Sequence, residues 1–402
     1  MRFTTSREAD KLIAEDLEKI KQIILKRIQP ITRIRSIILF GGFGRGEGSF
    51  EIVKGKPYSL NDYDLYLITE QKIDDNLLAE LSQQCSNAIG MGGREFAETP
   101  FEIYDKRKYF HVDLRCIPFN QLRKLKKTNR TLELGYDNVI YGQSIKKELP
   151  KFSLSSSEAF RCLFNPACHL LMGMDYRRFQ GRFEGDEKFF LSHHINKAYI
   201  WIAASMLISA GKFSPSYRES ARMFKKMYGQ QFPLLAEKIE KAVKSKLIPY
   251  KELPNPQKAW QDARNDLFFT FKFLAEKHLG IKEKNISSFI KQVYKKLPYT
   301  YFAPYLHLPS LIARAAFPSQ YYLNLLYFKR TLYFPSLFYW RDIGIKIALA
   351  AFLLLYAKEN AGLLKEAAKY IKSFSRVEKR DWESLREALL YAFDKYYSQK
   401  LI

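Results

Sequence analysis

Cysteine is scarce in this chain, and the four present, Cys85, Cys116, Cys162 and Cys168, are scattered without the paired spacing of a metal-binding knuckle. No apolar signal segment opens the sequence, so a reducing, cytoplasmic setting is expected. No run reaches the roughly 20 apolar residues of a spanning helix. The most apolar stretch, residues 343–357, carries Lys346 and is expected to be a buried core helix. Gly-x-Ser-x-Gly nucleophile turns and Walker-type phosphate loops are missing, as is the Arg-x₄₋₆-His ribonuclease pattern. His193 and His194 are adjacent, so they point to different faces of a helix and are not the same-face metal pair that an i, i+4 spacing makes.

What is present is a folded composition, 47% apolar and 27% charged, on 402 residues, long enough for two packed units. The net charge of +24 sets up a field that attracts nucleotides, nucleic acid or anionic lipid headgroups, or else belongs to a solvated Lys/Arg surface. Aromatic residues make up 15%, mostly among Leu and Ile at helical spacing, as core residues are.

Along the chain, Leu12, Ile13, Leu17, Ile20, Ile23, Ile24 and Ile28 keep a helical period that Ser6 is placed to cap. Residues 36–40 are a short apolar strand stopping at Gly41-Gly42. After a polar loop containing Lys54, Gly55 and Lys56, residues 63–69 alternate as a second strand, with Asp62, Asp64 and Tyr66 on one face and Tyr63, Leu65 and Leu67 on the other. A helix is predicted over 74–88, then strands over 96–103 and 109–117, the latter carrying Asp113, followed by a basic stretch with Arg123, Lys124, Lys126, Lys127 and Arg130. Past Pro150 the pattern turns to long helices, with Ser155 to Glu158 capping the first and others over 186–210, 254–279 and 343–358. The boundary falls near Leu154, giving domains of 1–153 and 154–402. The aromatic-basic region 299–340 is a candidate for peripheral contact with a membrane surface, although its polar breaks and prolines fit irregular packing equally well.

Two carboxylates on one strand face and a third on a neighbouring strand form the layout that holds paired Mg²⁺ ions against a triphosphate, and Asp62, Asp64 and Asp113 have it. A glycine-rich turn leading into a helix presents N–H groups to phosphates without side-chain obstruction, and Gly41-Gly42-Phe43-Gly44-Arg45-Gly46 is such a turn. Leu39-Phe40-Gly41-Gly42, Asp62-Tyr63-Asp64-Leu65 and Val112-Asp113-Leu114, in that order, resemble the motifs of the nucleotidyltransferase superfamily that includes DNA polymerase beta. The first motif, through Glu47, is most similar to that of PII uridylyltransferases. The resemblance covers about residues 37–117. It implies that Gly41, Gly42 and Arg45 bind nucleotide, that the three aspartates bind Mg²⁺, and that Asp113 helps deprotonate the attacking group. The chain departs from the family in the distance from Gly42 to Asp62, the surplus being the 49–59 loop, a candidate substrate-contacting insertion. Glu47 either orients Arg45 or sits in solvent.

Each element alone has a plainer explanation: a tight strand exit, a solvated strand end, or an aspartate paired with a nearby arginine. Together they carry the expectation of an α+β protein, a small mixed-sheet nucleotidyltransferase domain followed by an all-helical acceptor-binding domain. The expected activity is Mg²⁺-dependent transfer of NMP from a nucleoside triphosphate to a hydroxyl or phosphate acceptor, a small molecule or a protein. The alternatives are a template-independent enzyme adding nucleotides to RNA, supported by the 123–130 basic stretch, and an inactive nucleotide-binding protein.

Overall fold

The computed structural model describes residues 2–92, 109–249, 253–297, 327–328, 331–333 and 343–397. The expected 96–103 strand, and all but a few residues of the 299–340 region, lie outside them. The architecture is α+β: a small mixed sheet over about residues 34–148, then a mostly helical region. Contacts divide the chain into two compact units, one of Met1–Leu154, Glu184–Asn196 and Gly211–Leu253, the other of Ser155–Phe183, Lys197–Ala210 and Pro254–Ile402.

In the first unit, helix α1 (Arg7–Ile28) starts where Ser6 accepts a hydrogen bond from the Ala9 N–H. Acidic residues in its first turn and basic ones in its last suit the helix dipole. Strand β1 (Ile34–Phe40) runs into a single helical turn, α2 (Gly41–Gly44). The loop expected next is instead a two-stranded hairpin, β2 (Phe50–Val53) and β3 (Lys56–Ser59), turning at Lys54 and Gly55, both with positive φ. Its alternation is short and its outer residues are exposed, so hydrophobic periodicity does not announce it. Strand β4 (Tyr63–Thr69), helix α3 (Asp75–Ala88, capped by Asp74) and strand β5 (Val112–Pro118) follow. Helix α4 (Asn129–Leu134) precedes β6 (Asn138–Gly142), a half-buried edge strand with no apolar alternation to signal it.

The sheet order is β5-β4-β1-β6, with β1 antiparallel to both β4 and β6, and β4 parallel to β5. Strand alternation sorts the two faces. Ile37, Leu39, Tyr63, Leu65, Leu67, Val112 and Leu114 pack on Ile13, Leu17, Ile20 and Ile24 of α1 and on Leu78 and Leu81 of α3. The opposite face is apolar in part, where Ile38, Tyr66, Ile68 and Ile117 meet Leu122 and Leu134. By the same alternation Asp64 and Asp113 belong to that second face. Helices α5 (Tyr217–Tyr228) and α6 (Pro233–Leu247) complete this unit.

The second unit is helical. Its centre is the Ile343–Ala357 helix, buried almost throughout, packed by Ser156–Met172, Ala361–Ile371 and Trp382–Tyr397. Phe271 stacks on Phe352 there with ring centroids 4.4 Å apart. Among the described residues no helix is long and apolar enough to cross a membrane.

Candidate active site

The end of β1 and the start of β4 meet at Phe40 and Asp64, which are paired in the antiparallel register. The chain must leave β1 just over Asp64, and it does so at Gly41, whose φ is +70°. A Cβ at Gly41 would stand 2.0 Å from Asp64 Oδ2, so both the left-handed backbone and the close approach require glycine. The parallel register of β4 and β5 then sets Asp113 beside Asp64. Gly41, Asp64 and Asp113 are thus brought together by strand register alone.

Asp62 lies just before β4. Its Oδ1 accepts the backbone N–H of His111 at 3.1 Å and lies 3.2 Å from His111 Nδ1. Asp113 is buried, and its Oδ2 accepts from Arg115 Nη2 at 2.6 Å and Nε at 3.0 Å. Arg115 is two residues along the same strand, hence on the same face. Burial, then the negative charges of Asp113 and Asp62, push the Asp64 carboxyl up to about 6, with Arg115 and Arg130 opposing. The charges of Asp113 and Asp62 thus oppose ionisation of Asp64, and carboxylate oxygens are the donors that hard divalent cations take. In type, charge and register Asp64 and Asp113 fit Mg²⁺. Among the described residues no three acidic, histidine or cysteine side chains converge as a ready-made metal nest, Asp62 being engaged by His111 and Asp113 by Arg115.

Between Asp62 and Asp64, Tyr63, the first residue of β4, points to the opposite face. It donates from its hydroxyl to the buried Asp16 of α1 at 2.7 Å and packs on Phe43 with ring centroids 4.9 Å apart. Burial raises the Asp16 carboxyl, with the Tyr63 hydrogen bond partly offsetting it. The start of β4, between the two acids, is therefore pinned to α1 from behind.

Arg45 occupies a buried ion-pair network. Its Nε is 3.3 Å from Glu47, its Nη1 contacts Glu133, and its guanidinium lies 4.2 Å from the Tyr217 ring centroid. Of the two roles open to Glu47, it orients Arg45 and is 2% exposed. It also accepts from Ser216 Oγ and Tyr217 N at 2.8 Å and from Arg218 N at 3.0 Å, capping α5 from a distant part of the chain. Glu133, Tyr217, His111, Asn61 and Lys246 surround the motif residues without any motif of their own in the sequence. His193 and His194 are both buried. In the basic stretch, Arg123, Lys124, Lys127 and Arg130 are exposed.

Comparison of the chain with protein-family models, with curated proteins and with solved structures yields no match. The functional assignment is carried by this chain's own residues.

Proposed function

We propose that the protein is a Mg²⁺-dependent nucleotidyltransferase, moving NMP from a nucleoside triphosphate to a hydroxyl or phosphate group of a small-molecule or protein acceptor. The observation that carries this reading is the meeting of a glycine turn with two register-paired aspartates, Gly41 over Asp64 and Asp64 beside Asp113. In the reaction an acceptor oxygen bonds to the α-phosphorus, the bond to the bridging oxygen of the β-phosphate breaks, pyrophosphate leaves with that electron pair, and the acceptor's proton passes to a carboxylate. Mg²⁺, when bound, neutralises charge on the attacking and leaving oxygens.

The chain's own groups supply the rest. The first N–H groups of a helical turn lack intrahelical acceptors, so the Gly41-Gly42 backbone is suited to hold the β- and γ-phosphates. Asp64 on β4 and Asp62 just before it would hold the metal, and Asp113 would complete the set and take the acceptor's proton, as the resemblance implies. Arg115 orients Asp113 through the two hydrogen bonds it donates to Oδ2. Arg130, exposed and electrostatically coupled to Asp64, is placed to offset triphosphate charge. Arg45 acts from its buried network, bracing the glycine turn against α5 rather than reaching the phosphates directly.

The exposed Arg123, Lys124, Lys127 and Arg130 favour a second reading, in which the acceptor is RNA. Incubating the protein with each labelled triphosphate and a cell extract, then sizing the labelled product, tests both. Label in small-molecule or protein fractions is expected. Label in RNA, with affinity falling steeply with salt, selects the second reading, and no label with any triphosphate refutes both.

A further inference from the structure

Between the glycine turn and the aspartate strand the chain makes an excursion from Ser49 to Asn61, which includes the β2–β3 hairpin. The strand register holds Gly41 against Asp64, and the two ends of the excursion, next to Gly42 and Asp62, are tied by further hydrogen bonds. The Ser49 N–H donates to Asn61 Oδ1 at 2.9 Å, and the Leu60 N–H donates to the Ser49 carbonyl at 3.0 Å. Lys246, in the last turn of α6, enters the same junction. Its ammonium donates to Ser49 Oγ at 3.1 Å and to Asn61 Oδ1 at 3.2 Å, while the Ser49 hydroxyl donates to the Lys246 carbonyl.

Lys246 is only 5% exposed. Taking an ammonium out of water costs several kcal/mol, and methionine would fill a similar volume without that cost, so the charge is used for the hydrogen bonds it makes. The other end of the Asn61 amide faces the glycine turn: a Cβ on Gly42 would stand 2.9 Å from Asn61 Nδ2. Asn61 therefore touches Lys246, Ser49 and Gly42, and its own backbone leads directly into Asp62.

We infer that Lys246 is a positioning residue whose ammonium clamps Asn61 and Ser49 and so holds Gly42 against Asp62, beyond the end of the strand register that sets Gly41 on Asp64. Its catalytic consequence rests on the nucleotidyltransferase reading, whereas the clamp itself does not. A direct phosphate contact by Lys246 would act on triphosphate affinity. A clamp acts on the geometry of the reacting groups, where a misplacement of about 1 Å can cost on the order of a hundredfold in rate.

The test is hydrogen exchange of the full chain, read by mass spectrometry, for wild type, Lys246→Met and Ser49→Ala, with triphosphate affinity and transfer rate measured alongside. Lys246→Met is expected to speed exchange at least about fivefold in peptides spanning 41–49 and 60–66 and to leave β5 and α1 unchanged. It is expected to lower the saturated transfer rate at least about 30-fold while MgATP affinity stays within about threefold. Ser49→Ala, which removes one acceptor of the ammonium and the donor to the Lys246 carbonyl but leaves Asn61, is expected to give the same pattern more weakly and stands in if Lys246→Met does not fold. Exchange that is unchanged, or uniformly faster across the whole unit, overturns the clamp. So does a rise in the MgATP dissociation constant with the saturated rate preserved. If wild type binds no triphosphate at all, the nucleotidyltransferase reading falls, and the exchange pattern still decides the clamp.

Discussion

Gly41→Ala isolates the contact on which the candidate site is built. Two penalties combine there. The backbone stands at φ +70°, where an L-residue pays about 1–2 kcal/mol. The added Cβ would also lie 2.0 Å from Asp64 Oδ2 and 3.0 Å from its Cγ, against an ordinary contact of 3.4 Å or more, so the carboxylate must retreat by about 1.4 Å. Gly55→Ala is the matched control: its φ is +76°, and nothing lies within 4 Å of the added Cβ. Both variants are expected to lower Tm by roughly 3–8 °C through backbone strain. Wild type and Gly55→Ala are expected to be stabilised by Mg²⁺ with triphosphate and Gly41→Ala is not, and only Gly41→Ala is expected to lower the transfer rate about a hundredfold or more, since in the proposed reaction metal and phosphate both depend on where Asp64 sits. Thermal shift with and without Mg²⁺ and triphosphate, followed by single-turnover transfer, reads both effects. If Gly41→Ala responds to ligand and turns over as Gly55→Ala does, the apposition of glycine turn and Asp64 is not the functional geometry.

Other perturbations probe the surroundings. The folded Asp64 pKa is raised to about 6, so without metal the native state holds its proton more tightly than the unfolded chain. The Asp64 contribution to stability should then be fully present below about pH 4 and be lost, by at most about 3 kcal/mol, as pH rises through about 6. Urea unfolding in EDTA should show Asp64→Asn lacking this slope, and parallel wild-type and variant curves would contradict the assignment. Tyr63→Phe leaves the buried Asp16 without its 2.7 Å hydrogen bond, for a loss of about 1–3 kcal/mol by denaturant titration. An unchanged midpoint would mean that the strand is not pinned from behind. Glu47→Ala removes both a partner of Arg45 and the cap of α5, and a loss of about 3–5 kcal/mol is expected in the same titration. A loss below about 1 kcal/mol would return Glu47 to the role of a surface residue.

Much of the site was legible because its geometry follows from local rules. Alternation along 63–69 separates Tyr63, Leu65 and Leu67, which enter the core, from the face that carries Asp64. The apolar runs ending at Gly41 and surrounding Asp113 mark two further strands, and Ser6 marks the start of α1. What stayed hidden is non-local or weakly patterned. Arg45 belongs to a phosphate-binding motif by resemblance, yet its partners Glu133 and Tyr217 lie far along the chain, and no periodicity reveals that Glu47 caps a helix beginning at Tyr217. Lys246 reads as one more lysine in a basic helix until folding carries it to Asn61. Strand β6 and the 50–59 hairpin escaped because half-buried edges do not show a clean apolar period. The joining of residues 184–196 and 211–253 to the sheet-containing unit is likewise a matter of tertiary contact.

The most direct measurement is nucleotidyl transfer by Asp64→Asn to the acceptor found by labelling, with MgATP binding measured in parallel. The amide keeps the carboxylate's shape but removes one negative charge from the centre proposed to hold divalent cations, while the Gly41-Gly42 backbone proposed to hold the phosphates is left intact. Transfer should fall to background, the fold should persist, and MgATP binding should weaken only partly, with Asp62→Asn and Asp113→Asn behaving alike and His193→Ala remaining active. Transfer by Asp64→Asn at the wild-type rate would contradict the account and make the aspartate cluster a structural feature of the sheet.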